Sequence, residues 1–429
     1  MTIACLDGYN LILPKGSGIA TYGHGLLTAL DNIGVDTQVL YGPATPQHAD
    51  DRLNEIALID AKAPERRPAS LGRAISTFCA RWGRSTYPVP ISGDLVWPEK
   101  GAKRPLASRY WSSTDIFNLA NRAYRHYRTV VPVDFGHGPY APDVMHWTCP
   151  LPLTAKRAVN LVTFHDIIPL MLPHSTADNK REYYDMCRDV LARADHILTV
   201  SERTKQDLVQ ILGADSNRIT TTYQSATLGP PTETDDQAAD HLGDQLGLDW
   251  RGYFLFYGAV EPKKNLGRIV EAFLDAKTSC PLVVVGGRAW LSEAETGLLD
   301  AVTAEGRNAK VLRLDYLPTA TLRRLIRGAR ATLFPSLYEG FGLPVLESML
   351  AGTPVMTSTE GALSEVAGDA AVMVDPYDVQ GMSRAIRILD ADVLLRDDLS
   401  RRGMMQAQKF SAEAYEARLR DVYKSLGLS

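Results

Sequence analysis

Leu333-Phe-Pro-Ser-Leu-Tyr-Glu-Gly-Phe-Gly-Leu-Pro-Val-Leu-Glu347 is the stretch on which the reading of this chain turns. An apolar, strand-like run leads into it, and two carboxylates, Glu339 and Glu347, flank a glycine-broken turn that opens a helix. Gly340 and Gly342 let the backbone come close to a bound group. Pro344 suits the first turn of a helix, whose unpaired N–H groups and dipole favour phosphate. Ala351-Gly352-Thr-Pro354 then closes the helix. Glu347 falls about one turn inside the helix and Glu339 just ahead of it, so both can face one cleft and accept hydrogen bonds from hydroxyls. A carboxylate is a poor neighbour for phosphate and a good one for sugar, so the stretch reads as a site for an anionic, hydroxyl-rich ligand.

Working outward, apolar β-type runs alternate with helical patterns along the whole chain, the signature of parallel α/β units. Strands are predicted over 2–6, 35–40, 144–147, 161–164 and 196–200, then over 253–257, 282–285, 311–313, 331–334, 355–357 and 371–374. Helices fit between them, for example over 18–30, 204–212, 266–276 and 319–328. A length of 429 residues exceeds one ordinary core. The expected fold class is therefore α/β, with two doubly wound parallel-sheet, Rossmann-like domains facing across a cleft. The first spans 1–228, with an insertion at about 44–140. The acidic, proline-bearing stretch beginning Gly229-Pro-Pro-Thr-Glu-Thr-Asp-Asp-Gln opens a linker over 229–249. The second domain spans 250–411, and 412–429 reads as a helix that either packs on the second domain or crosses back to the first.

Composition excludes several function classes. A formal net charge of −4 gives no basic stripe for nucleic acid. Cys5, Cys79, Cys149, Cys187 and Cys280 are scattered and lack CxxC spacing, which fits a reducing, cytoplasmic compartment rather than a disulfide framework or a zinc site. No secretory leader and no apolar run of roughly 18 residues is visible. One segment stands apart. Arg66, Arg67, Arg73, Arg81 and Arg84, with Phe78 and Trp82 among them, precede Arg122, Arg125 and Arg128 with Tyr124 and Tyr127. Such a surface could contact anionic lipid at the cytoplasmic membrane face or an acceptor's phosphate. The plainer reading, an insertion with solvated or paired arginines, is preferred.

Three further motifs carry chemistry. Phe256-Tyr-Gly-Ala-Val-Glu-Pro-Lys-Lys-Asn-Leu266 sets Lys263 and Lys264 at a strand's C-terminal end, where they can neutralise a diphosphate without a metal ion. Lys15-Gly-Ser-Gly-Ile-Ala-Thr-Tyr-Gly-His24 follows the first strand, and Gly16 and Gly18 give a loop that can approach phosphate or sugar. Its third glycine is displaced to Gly23, so the G-x-G-x-x-G dinucleotide spacing fails. Val162-Thr-Phe-His-Asp-Ile-Ile-Pro169 ends a strand on His165 and Asp166, aiming both at the cleft. Taken alone, a strand-end histidine is more often a satisfied structural group than a catalyst. Ser201 in Ser201-Glu-Arg-Thr204 reads as a helix N-cap.

Together, the Glu339-x7-Glu347 stretch, the Glu-Pro-Lys-Lys-Asn segment and Gly361-Ala-Leu-Ser-Glu-Val-Ala-Gly-Asp-Ala370 resemble the retaining glycosyltransferases of family 4, the group 1 glycosyltransferases. The likeness runs nearly throughout from about Tyr253 to Asp378. In the first domain it is patchier, carried by the glycine loop, Asp143-Val-Met-His146, Thr163-Phe-His-Asp166 and Ala194-Asp-His-Ile-Leu-Thr-Val-Ser201. The resemblance implies a GT-B fold with a saccharide or lipid-linked saccharide acceptor in the first domain. It puts a nucleotide-diphosphate sugar in the second, with no metal and no cofactor. By position, it implies that Glu339 holds sugar hydroxyls, with the amides of Gly340, Phe341, Gly342 and Leu343 near the sugar and diphosphate. Glu347 takes the ribose hydroxyls, Lys264 and Lys263 the diphosphate, and His165 sits by the transferred sugar. Gly16 and Gly18 lie near the phosphates or acceptor, and Gly286 with the Tyr316–Leu317 backbone reads the base. The Glu-Pro-Lys-Lys-Asn subtype resembles polysaccharide mannosyltransferases, which implies mannose from GDP-mannose.

Two positions depart from the pattern. Many members carry arginine directly after the glycine matching Gly258, where this chain has Ala259, and Lys263 can compensate. The 44–140 region has no clear match. Retention by two displacements needs a nucleophile beneath the anomeric carbon. Front-face attack, with the diphosphate oxygen taking the acceptor's proton, fits the residues better. Two other readings remain: a phosphorylase or synthase of the same fold acting on a soluble saccharide, and a non-catalytic nucleotide-sugar-binding scaffold. No oligomeric state follows from the sequence.

Overall fold

The computed structural model describes residues 1–11, 18–43, 47–59, 71–95, 106–226, 228–229, 233–287, 293–303, 310–315 and 317–428, with main chain only at 293–296. Gly16 and Tyr316 lie outside the described residues.

Two large parallel sheets carry the described chain. From edge to edge the first runs Ile219–Thr221, His196–Thr199, Val159–Phe164, Val144–Trp147, Ile3–Asp7, Asp36–Tyr41, Arg109–Ser112, Tyr87–Val89, with only the last pair antiparallel. The second runs Val311–Leu314, Leu282–Val285, Phe254–Tyr257, Ala331–Phe334, Val355–Ser358, Val372–Val374, all parallel. Central strands such as Leu282-Val-Val-Val285 are buried along their whole length, as helices on both faces of a parallel sheet require. A small third sheet joins Arg84–Ser85, Val131–Asp134 and Leu153–Ala155.

Strand order locates the site before any side chain is considered. In the first sheet the chain begins at Ile3–Asp7, adds Asp36–Tyr41 on one side and places Val144–Trp147 on the other. In the second, Phe254–Tyr257 has Leu282–Val285 on one side and Ala331–Phe334 on the other. Crevices open outside the strand C-termini at such reversals. Asp7 ends a strand, and Thr148, Gly258 and the loop bearing Glu339 follow strands, at these two points.

Two sequence-based expectations change. The stretch at 44–140 is not appended to the first sheet but built into it. Arg109–Ser112 pairs in parallel with Asp36–Tyr41, and the Trp111 indole Nε1 donates to Gln38 Oε1 at 2.6 Å. The expected linker over 229–249 is a helix from Asp235 to Leu246. Thr234 and Gln237 form a capping box at its start, and Ala238 and Leu242 are buried. Gly328 of the Thr319–Gly328 helix has no room for a Cβ, which would lie 2.8 Å from Leu242 Cδ1 and 2.9 Å from the Trp250 ring.

The Ala412–Ser425 helix returns to the first sheet. Tyr415 packs at 6.4 Å from the Tyr22 ring, and Asn32 Nδ2 donates to Glu416 Oε1 at 2.7 Å. Its inward face, Tyr415, Leu419, Val422 and Tyr423, joins one apolar cluster that includes Leu26 and Leu30 from the Gly18–Asn32 helix and Phe410. Leu419 is fully buried there. Leu419→Ala is expected to cost about 2–5 kcal/mol of stability, read as a lowered denaturation midpoint. All five cysteines are free thiols.

Candidate active site

Ala331–Phe334 ends in a loop that the two following glycines make possible. Gly342 caps the Leu343–Leu350 helix at φ +105°, and a Cβ there would lie 2.5 Å from Leu363 Cδ2. Gly361, at φ +63°, passes so close to Glu339 that a Cβ would meet its carbonyl oxygen at 2.6 Å. The Ala362 N–H donates to that same oxygen at 3.0 Å. Glu339 is thus fixed by its backbone before its side chain makes a contact.

The side chain is held by cations. Lys264 Nζ donates to Glu339 Oε1 at 2.6 Å, while Lys263 Nζ stands 3.6 Å from Glu339 Oε2 and 3.7 Å from Glu261 Oε1. Both lysines belong to the short turn Pro262–Lys264, which ends on Asn265 in the left-handed region at φ +62°. Asn265 Nδ2 donates to the carbonyls of Pro335 at 3.1 Å and Pro376 at 2.7 Å, and the Leu337 N–H donates to Lys263 O at 2.7 Å. The lysine turn and the glutamate loop are therefore one unit. Burial pushes the Glu339 carboxyl upward, but Lys263 and Lys264 outweigh it and hold the group below the usual range. Burial acts downward on the Lys263 ammonium, and Glu339, Asp166 and Glu261 overcome it and hold it well above its ordinary value. Glu339 and Lys263 both stay ionised near pH 7.

Glu347 has a different setting. It is half-buried, one turn into the helix, near the Tyr257 hydroxyl, which donates to Pro344 O at 2.7 Å and lies 3.2 Å from Ser348 Oγ. Burial pushes the Glu347 carboxyl up to about 7, against the pull of Tyr257 and Arg323. Gly286 stands next to the same strand end. A Cβ on it would lie 1.8 Å from the Gly258 carbonyl oxygen, so only glycine fits. Leu317 is partly buried against the cluster containing Tyr257 and Val285. The Phe341 ring packs edge-on against Phe410 at 5.5 Å, so it turns into the core and leaves only its backbone to the cleft.

The first sheet supplies the facing wall. His165 follows Val159–Phe164, and its Nε2 lies 2.9 Å from the Thr148 carbonyl. A carbonyl only accepts, so Nε2 carries the proton. The Tyr22 ring meets the imidazole edge-on at 4.7 Å and 89°. Burial lowers the His165 basicity, opposed by Thr148 and Asp166, which leaves the ring neutral near pH 7. Gly340 touches this wall directly: a Cβ there would lie 1.9 Å from His165 O and 2.9 Å from Asp166 Cβ. Gly18 stands over Leu343, its would-be Cβ 4.0 Å from Leu343 Cδ1.

Further contacts hold the walls together. The Glu365 carboxylate, on the second sheet's side, accepts from the N–H groups of Glu202 at 2.9 Å and Arg203 at 3.3 Å at the start of the Glu202–Leu212 helix. Arg203 Nε donates to the Tyr338 hydroxyl at 3.1 Å, and that hydroxyl donates to Asp207. Ile168 and Leu172 pack on Leu337 and Tyr338. Ser201 caps the Glu202–Leu212 helix, accepting from the Thr204 N–H at 3.0 Å.

The structure thus gathers Lys263, Lys264, Glu339, Gly340 and His165 at one place, sets Gly18 against Leu343, and groups Glu347 with Gly286 around Tyr257 and Gly258. Tyr257, Arg323, Glu261 and Tyr22 were not singled out from sequence. Tyr257 had a signal, since it is the last residue of a predicted strand. Arg323 had none, because on an amphipathic helix it reads as a solvated cation. Among the described residues no group of three or more His, Cys, Asp or Glu side chains is arranged to hold a metal ion.

Residues 245–405 match the family described as glycosyl transferases group 1. The chain is 32% identical over 281 residues to O-antigen chain mannosyltransferase B of Escherichia coli, covering 64% of this chain and 72% of that protein. It is 28% identical over 290 residues to the serotype-specific mannosyltransferase WbdA of Escherichia coli, covering 63% of this chain and only 35% of that longer protein. The structure of Anabaena HepE in complex with UDP and glucose superposes with a TM-score of 0.66 at 14% identity, over 99% of this chain and 100% of that one. The chain belongs to the group 1 glycosyltransferases and has their two-sheet GT-B fold.

Proposed function

We propose that the protein transfers mannose from GDP-mannose to a saccharide or lipid-linked saccharide in polysaccharide or glycoconjugate assembly, with retention at the anomeric carbon. The carrying observation is the Lys263–Lys264–Glu339 cluster, its carboxylate buried just ahead of a helix start and next to Gly340, which meets the His165 backbone. Glu339 accepts from hydroxyls of the transferred sugar, and Glu347 from those of the ribose. The two ammoniums and the N–H groups of Phe341, Gly342 and Leu343, which lead into the Leu343–Leu350 helix, receive the diphosphate. Leaving-group charge then develops beside fixed cations, so no metal ion is required, and added chelator is expected to leave the rate unchanged. An oxygen of the departing diphosphate takes the acceptor's proton as the acceptor attacks from the same face. Mannose is favoured by the likeness to O-antigen mannosyltransferases, not by any contact in the site. The synthase and phosphorylase reading has only shared fold in its favour.

No helix among the described residues is long and apolar enough to cross a membrane. A lipid-linked acceptor would instead be met from one face, where Leu71, Ile75, Phe78 and Trp82 are exposed and the Arg81 guanidinium lies 3.5 Å from the Phe78 ring. Trp82→Ser is expected to reduce co-sedimentation with phosphatidylglycerol vesicles.

Glu347 gives a pH signature. With its carboxyl at about 7, it gains a proton as pH falls from 8 to 6 and loses the charge that accepts two hydroxyls. Donor KM is therefore expected to rise as pH falls through that range, by up to about tenfold, and to be flat in Glu347→Gln. The function itself is tested by incubating the protein with a panel of nucleotide sugars and measuring nucleotide release. Release from GDP-mannose above the others is expected; no release from any would end the enzyme reading.

A further inference from the structure

Asp7 ends the first strand at the sheet's reversal point and is fully buried. Its carboxylate is met by backbone donors: Oδ1 accepts from the Tyr9 N–H at 3.2 Å, and Oδ2 accepts from the Thr148 N–H. Thr148, itself buried, then uses its carbonyl to accept the Nε2–H of His165 at 2.9 Å. A continuous line of hydrogen bonds thus runs from Asp7 through one residue to the imidazole of His165, the residue whose backbone carbonyl faces Gly340. Tyr22 closes the ring's other side, and its hydroxyl is pinned 2.8 Å from Thr163 Oγ1 on the strand that delivers His165.

We infer that Asp7 is a positioning residue: by fixing Thr148 it sets the tautomer and orientation of His165, leaving Nδ1 as the lone-pair nitrogen that can accept a hydroxyl of the transferred sugar. The inference rests on the reading that His165 borders that sugar. The chemistry of the partners makes the residue type specific. Two N–H donors, those of Tyr9 and Thr148, face the Asp7 side chain together with the Thr148 side chain, and a carboxylate is acceptor-only on both oxygens. An amide must turn its NH2 toward one of them, and a buried donor left facing a donor forces the Thr148 peptide to move. Burial pushes the Asp7 carboxyl up to about 6, so it is still the anion at neutral pH. Second-tier hydrogen bonds of this kind commonly decide which imidazole nitrogen carries the proton.

The test combines imidazole nitrogen NMR of the full chain with kinetics. In the wild type His165 is expected as the Nε2–H tautomer at pH 7. In Asp7→Asn its signals are expected to move toward a tautomer mixture, with kcat for nucleotide release falling about 10- to 100-fold and donor KM within about threefold of wild type. Asp7→Ser, which removes the carboxylate without setting an NH2 against Thr148, is the second variant should the first not fold, and the same His165 change is expected. The double variant Asp7→Asn/His165→Ala is expected to be no slower than His165→Ala alone, because the two residues act as one unit. An Nδ1–H tautomer in the wild type, an unchanged His165 spectrum in the variants, or losses that multiply in the double variant would overturn the inference. If no nucleotide sugar is turned over, the functional reading fails while the NMR still decides the role of Asp7.

Discussion

Glu339→Ala is expected to lower turnover by about 10³-fold while nucleoside-diphosphate affinity is kept or improved. The carboxylate lies between two ammoniums, 2.6 Å from Lys264 and 3.6 Å from Lys263, at a place with little solvent. Its loss removes the acceptor proposed to align the sugar and takes from Lys264 the carboxylate it is paired with, while Lys263 keeps Glu261 at 3.7 Å. Breaking a buried pair this way costs about 3–5 kcal/mol, so the unliganded variant is expected to melt lower than wild type. A diphosphate replaces the missing charge. Added GDP should therefore raise the variant's melting temperature by more than it raises that of the wild type, since a ligand stabilises in proportion to its affinity. Glu339→Gln, which keeps one acceptor oxygen, is expected to fall between the two. Turnover, calorimetric affinity and melting with and without GDP measure all of this. Loss of nucleotide affinity in proportion to turnover would mean that Glu339 serves the nucleotide, not the sugar.

The second large effect is expected from a single methyl group. In Gly340→Ala the new Cβ would fall 1.9 Å from the His165 carbonyl oxygen and 2.9 Å from Asp166 Cβ, on the opposite wall of the cleft. Neither is the end of a flexible side chain, so the walls must part. The contacts that hold them nearby include Glu365 on the Glu202–Leu212 helix, Tyr338 on Arg203 and Asp207, Thr204 Oγ1 on the Gly340 carbonyl at 3.5 Å, and a small apolar cluster of Ile168, Leu172, Leu337 and Tyr338. Parting costs less than unfolding either sheet. A shift of about 1 Å between reacting groups is enough for a loss near 10²-fold in kcat. Nucleotide affinity, proposed to reside on the second sheet's side, is expected to stay within a few-fold, and small-angle scattering should show a larger radius of gyration. An unchanged kcat would show that catalysis does not need this contact.

Much of the second sheet was legible because its signals are local. Leu282–Val285, Ala331–Phe334 and the helices Leu266–Ala276 and Thr319–Gly328 coincide with the runs expected from sequence, since buried parallel strands are continuous apolar runs and the helices are strongly amphipathic. What was missed depends on distant partners. Arg109–Ser112 is polar at both ends and becomes a strand by pairing with Asp36–Tyr41 and Tyr87–Val89. The Asp235–Leu246 helix did announce itself through Thr234 and Gln237, but the two prolines just upstream made the stretch read as linker. At the site, spacing alone selected Glu339, Glu347, Lys263 and Lys264. It gave no hint that Glu339 and the lysines hold each other, because that requires the Asn265 side chain to bind the Pro335 and Pro376 carbonyls. Nor could it show that Glu347 is buried by Tyr257 and Arg323, where burial outweighs the pull of both and lifts its carboxyl to about 7, separating its behaviour from that of Glu339. Two glutamates in one short motif are thus set to opposite sides of their ordinary range, one by cations and one by burial.

The central claim is that Glu339 holds the transferred sugar, Glu347 the ribose, and the lysine pair with the helix start the diphosphate. A crystal structure of the protein with intact GDP-mannose tests it most directly. The result expected has Glu339 oxygens within hydrogen-bond distance of mannose hydroxyls, Glu347 on the ribose hydroxyls, Lys264 on a diphosphate oxygen and His165 beside the sugar. A diphosphate bound away from Lys263 and Lys264, or a sugar with no contact to Glu339, would contradict it.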